Sequence, residues 1–359
     1  MRICAYRGYA TRTRVLVSGR VLANRAPVEL TERESLWRNL LNSYRRFESD
    51  ELPHVPVIIQ SGGYEHTIET DAEGYYQLEL PRIVQTNTAT FLTAEARCSV
   101  RGHEISATHE IVAPASDAEF GIISDLDDTV IETNMTSLLT AAKLTFIGNA
   151  KTRKPLEGVA ALYASLGSGR AGRPVNPIFY VSSSPWNLYD LLCDFMELNE
   201  IPKGPIFLRD WGIDRPKFIK SRGHREKFER ARKIMADFPE LPFVLVGDSG
   251  QQDAGLYAEA ATLHPGQIKA IYIRDVDPAT ATKRDEDVRA HIKTAAQHGV
   301  PMLLAPDSQA MAHHAAEIGL ITARKEAAVK VEVTKDQERP KPAAAAVKEA
   351  LGIESSRTT

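Results

Sequence analysis

Three carboxylates follow an apolar run in FGIISDLDDTV, residues 120–130. Asp125 and Asp127 are two positions apart, and strand residues at that spacing point to the same side. Both carboxylates would therefore project from the end of one strand. Crowded, buried carboxylates are costly unless something neutralises them, and ligand sets made of oxygen atoms favour Mg²⁺. The alternative is that these acids cap the following helix or lie in a solvated turn.

A second strand-like run, IFYV, leads into Ser182, Ser183 and Ser184, followed by Pro185. Proline favours the first position of a helix, so Ser184 is a predicted N-cap. Hydroxyl groups and free backbone N–H groups at a helix N-terminus favour an anion. Ser182, the closest of the three to the strand, is the predicted phosphate ligand, and ordinary helix capping is the alternative.

A third segment, FVLVGDSGQQD, places Asp248 at a strand end and Asp253 in the next turn. Asp248 is a predicted metal ligand. Asp253 is predicted either to orient the ligands or to bind the metal through water, with an ordinary turn as the alternative. Lys227, predicted to open the helix before this strand, would balance the charge of a phosphate, and Lys220 is its rival.

The elements that position these residues alternate between strand-like and helix-like patterns from about residue 118. This alternation predicts an α/β fold with a parallel, doubly wound sheet. In such sheets ligands bind at the carboxyl ends of the strands. The predicted strands are 120–125, 176–182, 242–247, 269–274 and 301–305, and a helix is predicted at 308–318.

Residues 1–116 are predicted to form a small β-sandwich-like domain, because short β-branched or alternating runs are separated by turn residues. Apolar residues at helical spacing predict one helix within it, at 31–48. This helix would pack on the sandwich or, alternatively, contact lipid headgroups through its basic residues. The tail, 323–359, is rich in Ala, Lys, Glu and Pro and is predicted to be disordered or loosely helical.

The composition is that of an ordinary globular protein, with 359 residues and a net charge of −3. This charge gives no footprint for nucleic-acid binding. No secretory signal is predicted from the first residues, and no apolar run is long enough to predict a membrane span. Three widely spaced cysteines predict reduced thiols and a cytoplasmic location, with a peripheral position on membranes as a further possibility. They are Cys4, Cys98 and Cys193.

Taken together, these segments resemble the four motifs of the haloacid dehalogenase superfamily of phosphohydrolases. The closer resemblance is to the catalytic domain of the actin-patch type of phosphatidate phosphatase, including its bacterial relatives. It is carried by SDLDDTV, FYVSSSPWNL, IFLRDWG and LVGDSGQQD…IKAIYIRDV, over roughly residues 118–280. The resemblance implies a haloacid dehalogenase-like phosphatase domain at 117–322.

The resemblance also implies a role for each matching residue. Asp125 would be the nucleophile that takes the phosphoryl group, and Asp127 would be the general acid that then acts as the base. Ser182 and Ser183 would bind phosphate oxygens, and Lys227 would hold the nucleophile and the phosphate together.

The metal in this scheme is Mg²⁺. Its implied ligands are Asp125, the backbone carbonyl of Asp127, and Asp248, with Asp253 in support. Asp128 also matches the closer family but has no assigned role.

Neither interval between the motifs, 130–176 or 185–226, has room for a large cap domain. An open site suits a bulky or surface-bound substrate such as a lipid. Trp186 and Trp211 would form an apolar surface near the opening of the site or, alternatively, pack in the protein interior.

The predicted function is therefore Mg²⁺-dependent hydrolysis of phosphatidate to diacylglycerol and phosphate through an aspartyl-phosphate. One alternative is another phosphomonoester: a sugar phosphate, nucleotide, phosphoprotein or nucleic-acid end. The other is a non-catalytic binding module in which the β-rich domain does the work.

Overall fold

A computed structural model describes most of the chain. Five predictions fall outside its described residues: the helix at 31–48, Asp127, Asp128, Trp211 and the end of the tail, 339–359. In the described part, no helix has the length and apolar character needed to cross a bilayer. The described residues are 1–23, 51–82, 91–126, 129–130, 156–209, 220–278 and 282–338, without the side chains of 220–224.

The N-terminal part forms one hydrogen-bonded sheet of eight strands, in the order β1-β3-β2-β8-β7-β4-β5, with β6 paired to β3. All pairs are antiparallel except β2 with β8. In β7, buried and exposed residues alternate, as expected for a strand with one face in a core. The strands are β1 (Arg2–Ala5), β2 (Gly8–Ala10), β3 (Arg14–Leu22), β4 (Pro56–Ser61), β5 (Tyr64–Glu69), β6 (Tyr75–Pro81), β7 (Phe91–Val100) and β8 (His103–Val112).

The second part contains a parallel sheet of six strands, in the order β11-β10-β9-β12-β13-β14. Every residue of β9 and β12 is buried, which fits their nearly continuous apolar sequences. The predicted parallel α/β sheet is thereby confirmed, and β9 and β12 are neighbours at its centre. The strands are β9 (Gly121–Asp125), β10 (Ile178–Pro185), β11 (Ile206–Arg209), β12 (Phe243–Asp248), β13 (Ile268–Arg274) and β14 (Met302–Ala305).

Helices cover both faces of the parallel sheet. Ile122 packs into a core with α1, α2, α6 and α7, whereas Ile123 packs into a core with α3, α4 and α5. Neighbouring strand residues thus serve opposite faces. The helices are α1 (Val159–Ser168), α2 (Tyr189–Leu198), α3 (Lys220–Asp237), α4 (Asp253–Leu263), α5 (Lys283–Gln297), α6 (Ser308–Glu317) and α7 (Ala323–Glu338).

The start of the tail, which the sequence predicts to be disordered or loosely helical, is the helix α7. Val329 and Val333, four residues apart on α7, are 0% and 3% exposed and belong to the core shared with α1 and α6. Two valines on one helical face provide enough apolar contact to dock a helix whose composition is otherwise polar. The polar composition of residues 323–359 gives little indication of these two buried valines.

The prediction that Ser184 caps a helix is wrong. Strand β10 continues to Pro185, a short 3₁₀ turn follows at Trp186–Leu188, and α2 begins only at Tyr189. The chain therefore remains extended through all three serines, and no side chain caps the 3₁₀ turn.

Aromatic residues of the N-terminal sheet enter the cores of the second part. Tyr6 stacks on Trp186 with ring centroids 4.3 Å apart and belongs to the core on one face of the parallel sheet. Tyr9 belongs to the core on the other face and donates a hydrogen bond to Asp237. Trp186 is thus half-buried between the two parts of the chain.

Candidate active site

Asp125 is the last residue of β9 and is completely buried. The Nζ of Lys227 lies 2.9 Å from its Oδ1. Lys227 itself is 7% exposed, so both charges lie in an environment where an unpaired charge would be expensive. The contact with Lys227 keeps a buried carboxylate tolerable at this position.

Lys227 does not open its helix, as the sequence had suggested, but lies two turns into α3, which begins at Lys220. The side chain of Lys220 is outside the described residues. The geometry thus gives Lys227 direct contact with Asp125.

Gln251 connects Lys227 to Asp125 and was not identified from the sequence. Its Oε1 accepts a hydrogen bond of 2.9 Å from Lys227 Nζ, and its Nε2 donates one of 3.2 Å to Asp125 Oδ2. The two oxygens of Asp125 are therefore held by different partners, which fixes the plane of the carboxylate. The signal available in the sequence was the position of Gln251 inside GDSGQQD.

Two further carboxylates converge on Asp125 from the neighbouring strand. Asp248 ends β12 and Asp253 begins α4, and they are 0% and 2% exposed. One carboxylate oxygen from each of Asp125, Asp248 and Asp253 lies within 4.8 Å of the others. Lys227 Nζ is also 3.5 Å from Asp253 Oδ1.

Backbone amides orient the second pair of acids. Asp248 Oδ1 accepts a hydrogen bond of 2.6 Å from the N–H of Gly250, and Asp253 Oδ2 accepts one of 3.3 Å from the N–H of Asp248. A Cβ at Gly247 would lie 2.6 Å from Asp253 Oδ2. Glycine at this position lets the Asp253 carboxylate approach the strand end.

The field around these acids is negative. Burial raises the pKa of Tyr257 well above its usual value, and the charges of Asp253 and Asp125 raise it further. Burial likewise raises the pKa of Tyr163, whose hydroxyl contacts Ser124, and Asp125 adds to that rise. Three buried carboxylates lie close together here, and their donor atoms are all oxygen. Such a set fits a hard divalent cation such as Mg²⁺.

The serines lie at the end of the adjacent strand. Val181 is in register with Asp125 across the β10–β9 pair, so Ser182 directly follows the position beside the nucleophile candidate. Ser182 is 4% exposed and accepts a hydrogen bond of 2.9 Å from the backbone N–H of Ser184. Ser183 is half-buried. The strand ends carrying Asp125, Ser182 and Asp248 thus lie side by side.

The segment that carries this site matches a known family. Residues 120–275 match the sequence model described as "Phosphatidate phosphatase APP1, catalytic domain". A stretch of 157 residues is 35% identical to phosphatidate phosphatase APP1 of Saccharomyces cerevisiae and covers 43% of this chain and 25% of that protein.

Two further similarities are weaker: one is to an uncharacterized protein and the other to a solved structure. A stretch of 216 residues is 27% identical to the uncharacterized protein C29B5.04c of Schizosaccharomyces pombe and covers 59% of this chain and 35% of that protein. The match to the structure of the carbohydrate acetylesterase XAC1771 from Xanthomonas citri has 13% identity and a TM-score of 0.24, and covers 81% of this chain and 72% of that one. A score this low supports no conclusion about fold or function.

The chain spans a quarter to about a third of the length of the two yeast relatives. The match nevertheless includes β9 to β13 and every acid of the site. Residues 120–275 therefore match the catalytic-domain family of phosphatidate phosphatase APP1, the actin-patch family that the sequence motifs predicted.

Proposed function

We propose that this chain is a Mg²⁺-dependent phosphomonoesterase that hydrolyses phosphatidate through an aspartyl-phosphate on Asp125. The observation that carries the proposal is the convergence of Asp125, Asp248 and Asp253 around Lys227, inside the segment that matches the phosphatase family. In this proposal, residues 117–322 form a haloacid dehalogenase-like, doubly wound phosphatase domain, and residues 1–116 form a sandwich-like domain in front of it.

The proposed metal ligands are Asp125, Asp248 and the backbone carbonyl of Asp127, with Asp253 orienting the set. The clustered carboxylate oxygens suit this role, because Mg²⁺ prefers carboxylates, water and substrate phosphate. When bound, Mg²⁺ would offset the charge of the phosphate dianion and stabilise the charge on its oxygens during transfer.

The first step is a displacement at phosphorus. A carboxylate oxygen of Asp125 attacks the phosphorus atom while the bond from phosphorus to the glycerol oxygen breaks. Asp127 donates its proton to that oxygen, and diacylglycerol leaves. Lys227 holds the nucleophile on one side and faces the incoming phosphate, whose oxygens are bound by Ser182 and Ser183.

In the second step, water attacks the phosphorus of the aspartyl-phosphate, and Asp127 takes a proton from that water. The bond between phosphorus and Asp125 breaks, which releases phosphate and regenerates the carboxylate. Asp127 must be protonated in the first step and ionised in the second, so the proposal requires its pKa to lie near the working pH.

The lipid substrate is supported by the similarity to phosphatidate phosphatase APP1 of Saccharomyces cerevisiae. A second support comes from the sequence, where the intervals 130–176 and 185–226 are too short to predict a large cap. The proposed location is the cytoplasm, with the enzyme acting peripherally at a membrane surface.

The test measures phosphate release from phosphatidate in vesicles and from soluble phosphate esters: a sugar phosphate, a nucleotide, a phosphopeptide and a 5′-phosphorylated oligonucleotide. We expect turnover of the vesicle lipid, loss of that turnover in EDTA and its return with Mg²⁺. If only the soluble esters are hydrolysed, phosphatidate is not the substrate, although the proposed phosphomonoesterase mechanism would still hold. Unchanged release by Asp125→Asn would remove the proposed nucleophile.

A further inference from the structure

A second group of carboxylates lies at the same edge of the parallel sheet, at the neighbouring strand β13. Asp275 directly follows β13, Asp277 lies in the next turn, and Asp285 is the third residue of α5. One carboxylate oxygen of each lies within 4.8 Å of the others. The phosphatase mechanism uses none of these three acids.

Asp285 is the buried member of this group, with 3% of its surface exposed. Its Oδ2 accepts a hydrogen bond of 2.8 Å from the backbone N–H of Thr282. Its Oδ1 is buried and has no hydrogen-bond partner in the described part of the chain. A buried carboxylate oxygen left without a partner carries its full desolvation cost, and this one lies beside two more acids.

The described part of the chain places little positive charge beside these acids. Among the described residues, the one ion pair to the group joins Arg284 Nη2 and Asp277 Oδ2 at 3.3 Å, and both side chains are substantially exposed. Ion pairs between exposed side chains contribute little to stability. Burial and the charges of Asp285 and Asp277 together raise the pKa of Asp275, although the Asp277 amide opposes that rise. The crowding is therefore electrostatically unfavourable in the protein alone.

We propose that Asp275, Asp277 and Asp285 form a second binding site for a hard divalent cation, Ca²⁺ or Mg²⁺, separate from the site at Asp125. A cation would give Asp285 Oδ1 its missing partner and offset the repulsion among the three carboxylates. Both ions bind through oxygen: Ca²⁺ takes more ligands in a looser geometry, whereas Mg²⁺ keeps several waters. This proposal does not rest on the phosphatase activity.

A cation bound by Asp275, Asp277 and Asp285 would also stabilise the turn that follows Asp248. The backbone N–H of Val276 donates a hydrogen bond to Ser249 Oγ, and the N–H of Ser249 donates one to the carbonyl of Arg274. The turn that carries Asp275 and Asp277 is thus bonded to the turn that follows Asp248. A cation in the second site is therefore expected to raise the melting temperature of the full chain.

The test uses the full chain, freed of metal with a chelator and titrated calorimetrically with Ca²⁺ alone or Mg²⁺ alone. We expect two binding sites in the unmodified chain and one in Asp248→Asn, which keeps the second site. Asp277→Asn should lose the second site or weaken it about tenfold or more, because affinity follows the number of charged ligands. The matched control is Asp287→Asn. Asp287 is an exposed acid on α5, the helix that carries Asp285, and this variant should keep both sites.

The double variant Asp248→Asn/Asp277→Asn removes one ligand from each of the two proposed cation sites. It should bind neither ion, and its melting temperature should not respond to either. Asp275→Asn serves as the second variant if Asp277→Asn folds poorly, as judged by its melting temperature in chelator. The proposal is overturned if Asp277→Asn and Asp287→Asn bind alike, or if the only site in the unmodified chain is the one that Asp248→Asn removes.

Discussion

At the scale of single residues, the site depends on one lysine placed among buried carboxylates. Lys227 contacts Asp125 at 2.9 Å, Gln251 at 2.9 Å and Asp253 at 3.5 Å. Removing one member of a buried ion pair leaves an uncompensated charge, which is far more damaging than losing a surface pair. Lys227 is therefore expected to matter for both the fold of the site and its chemistry.

Lys227→Met is expected to lower kcat for phosphate release by about 10²–10³-fold, the scale seen when one stabilising group is removed from a transition state. Lys220→Met is the matched control, since it makes the same change on the same helix and should keep most of the activity. The measurement is kcat on phosphatidate vesicles at saturating Mg²⁺. A larger loss in Lys220→Met than in Lys227→Met would reverse the assignment of the phosphate-binding lysine.

Gly247→Ala is expected to push the Asp253 carboxylate away, because the new Cβ would lie 2.6 Å from its Oδ2. Groups that orient metal ligands typically contribute about 10–100-fold to metal affinity or activity. The Mg²⁺ concentration for half-maximal activity should rise on that scale. Gly172→Ala is the control, because a Cβ there meets no atom within 4 Å. Equal Mg²⁺ dependence in the two variants would contradict this role of Gly247.

At the scale of elements, the order of the parallel strands brings the acids together. Because β9 and β12 are neighbours, Asp125 and Asp248 end at the same edge although more than a hundred residues separate them in sequence. The N–H of Asp248 then bonds to Asp253 at the start of α4. Strand ends and the short turn after β12 thus supply the acids of the site, and α3 supplies Lys227.

A buried histidine in β8 gives the N-terminal sheet a predictable pH dependence. His109 is 0% exposed; its Nδ1 is 2.9 Å from the carbonyl oxygen of Tyr6, and its Nε2 is 2.9 Å from the hydroxyl of Tyr76. A carbonyl can only accept, so Nδ1 carries the proton and Nε2 accepts from Tyr76 in the neutral ring. Burial lowers the pKa of His109 below 6.5.

The unfolded chain therefore binds a proton at His109 more readily than the folded chain does. Its contribution to stability is fully present above pH 6.5 and is lost as the pH falls through the lowered folded pKa. Urea unfolding at several pH values should show this fall in the unmodified chain and a flatter profile in His109→Gln. The exposed His103→Gln is the control. An unchanged profile in His109→Gln would contradict the assignment.

The regular elements were predictable where the sequence pattern is strong. Strands β9 and β12 read as unbroken apolar runs because both of their faces are buried. Strands β1, β2 and β5 carry little sequence signal, since the first two are only four and three residues long and β5 is largely exposed. Helix α7 lies in the tail predicted to be disordered or loosely helical, and its two buried valines, four residues apart, are a weak signal in a segment of polar composition.

The candidate site was predictable to the extent that its residues carry chemistry at strand ends. Asp125 and Asp248 follow apolar strands, so their meeting could be expected from sheet geometry. Gln251 could not, since an amide has no charge to signal its place between Lys227 and Asp125. The second acid group also escaped notice, because Asp285 joins it only through the packing of α5.

At the scale of the whole molecule, the two parts of the chain share their cores. Tyr6 contacts Trp186 and Tyr189, and the hydroxyl of Tyr189 accepts a hydrogen bond of 2.7 Å from the backbone N–H of Arg7. Tyr9 fills the opposite core. The N-terminal sheet is therefore expected to stabilise the part that carries the site.

Tyr6→Ala is expected to lower the free energy of unfolding of the full chain by about 3 kcal/mol or more, as for other large aromatic residues in cores. Tyr64→Ala is the control, because Tyr64 is 44% exposed, and should change stability by less than about 0.5 kcal/mol. Urea unfolding of the full chain measures the difference between the two variants. Equal stability of the two variants would mean that the contact contributes little.

The most direct measurement on the whole enzyme is acid quenching during turnover of phosphatidate labelled with ³²P in its phosphate, followed by peptide mapping. The proposed mechanism predicts a covalent label on Asp125 that appears only with Mg²⁺, and its absence in Asp125→Asn. Turnover with no covalent label on the protein, or with the label on another residue, would contradict Asp125 as the nucleophile.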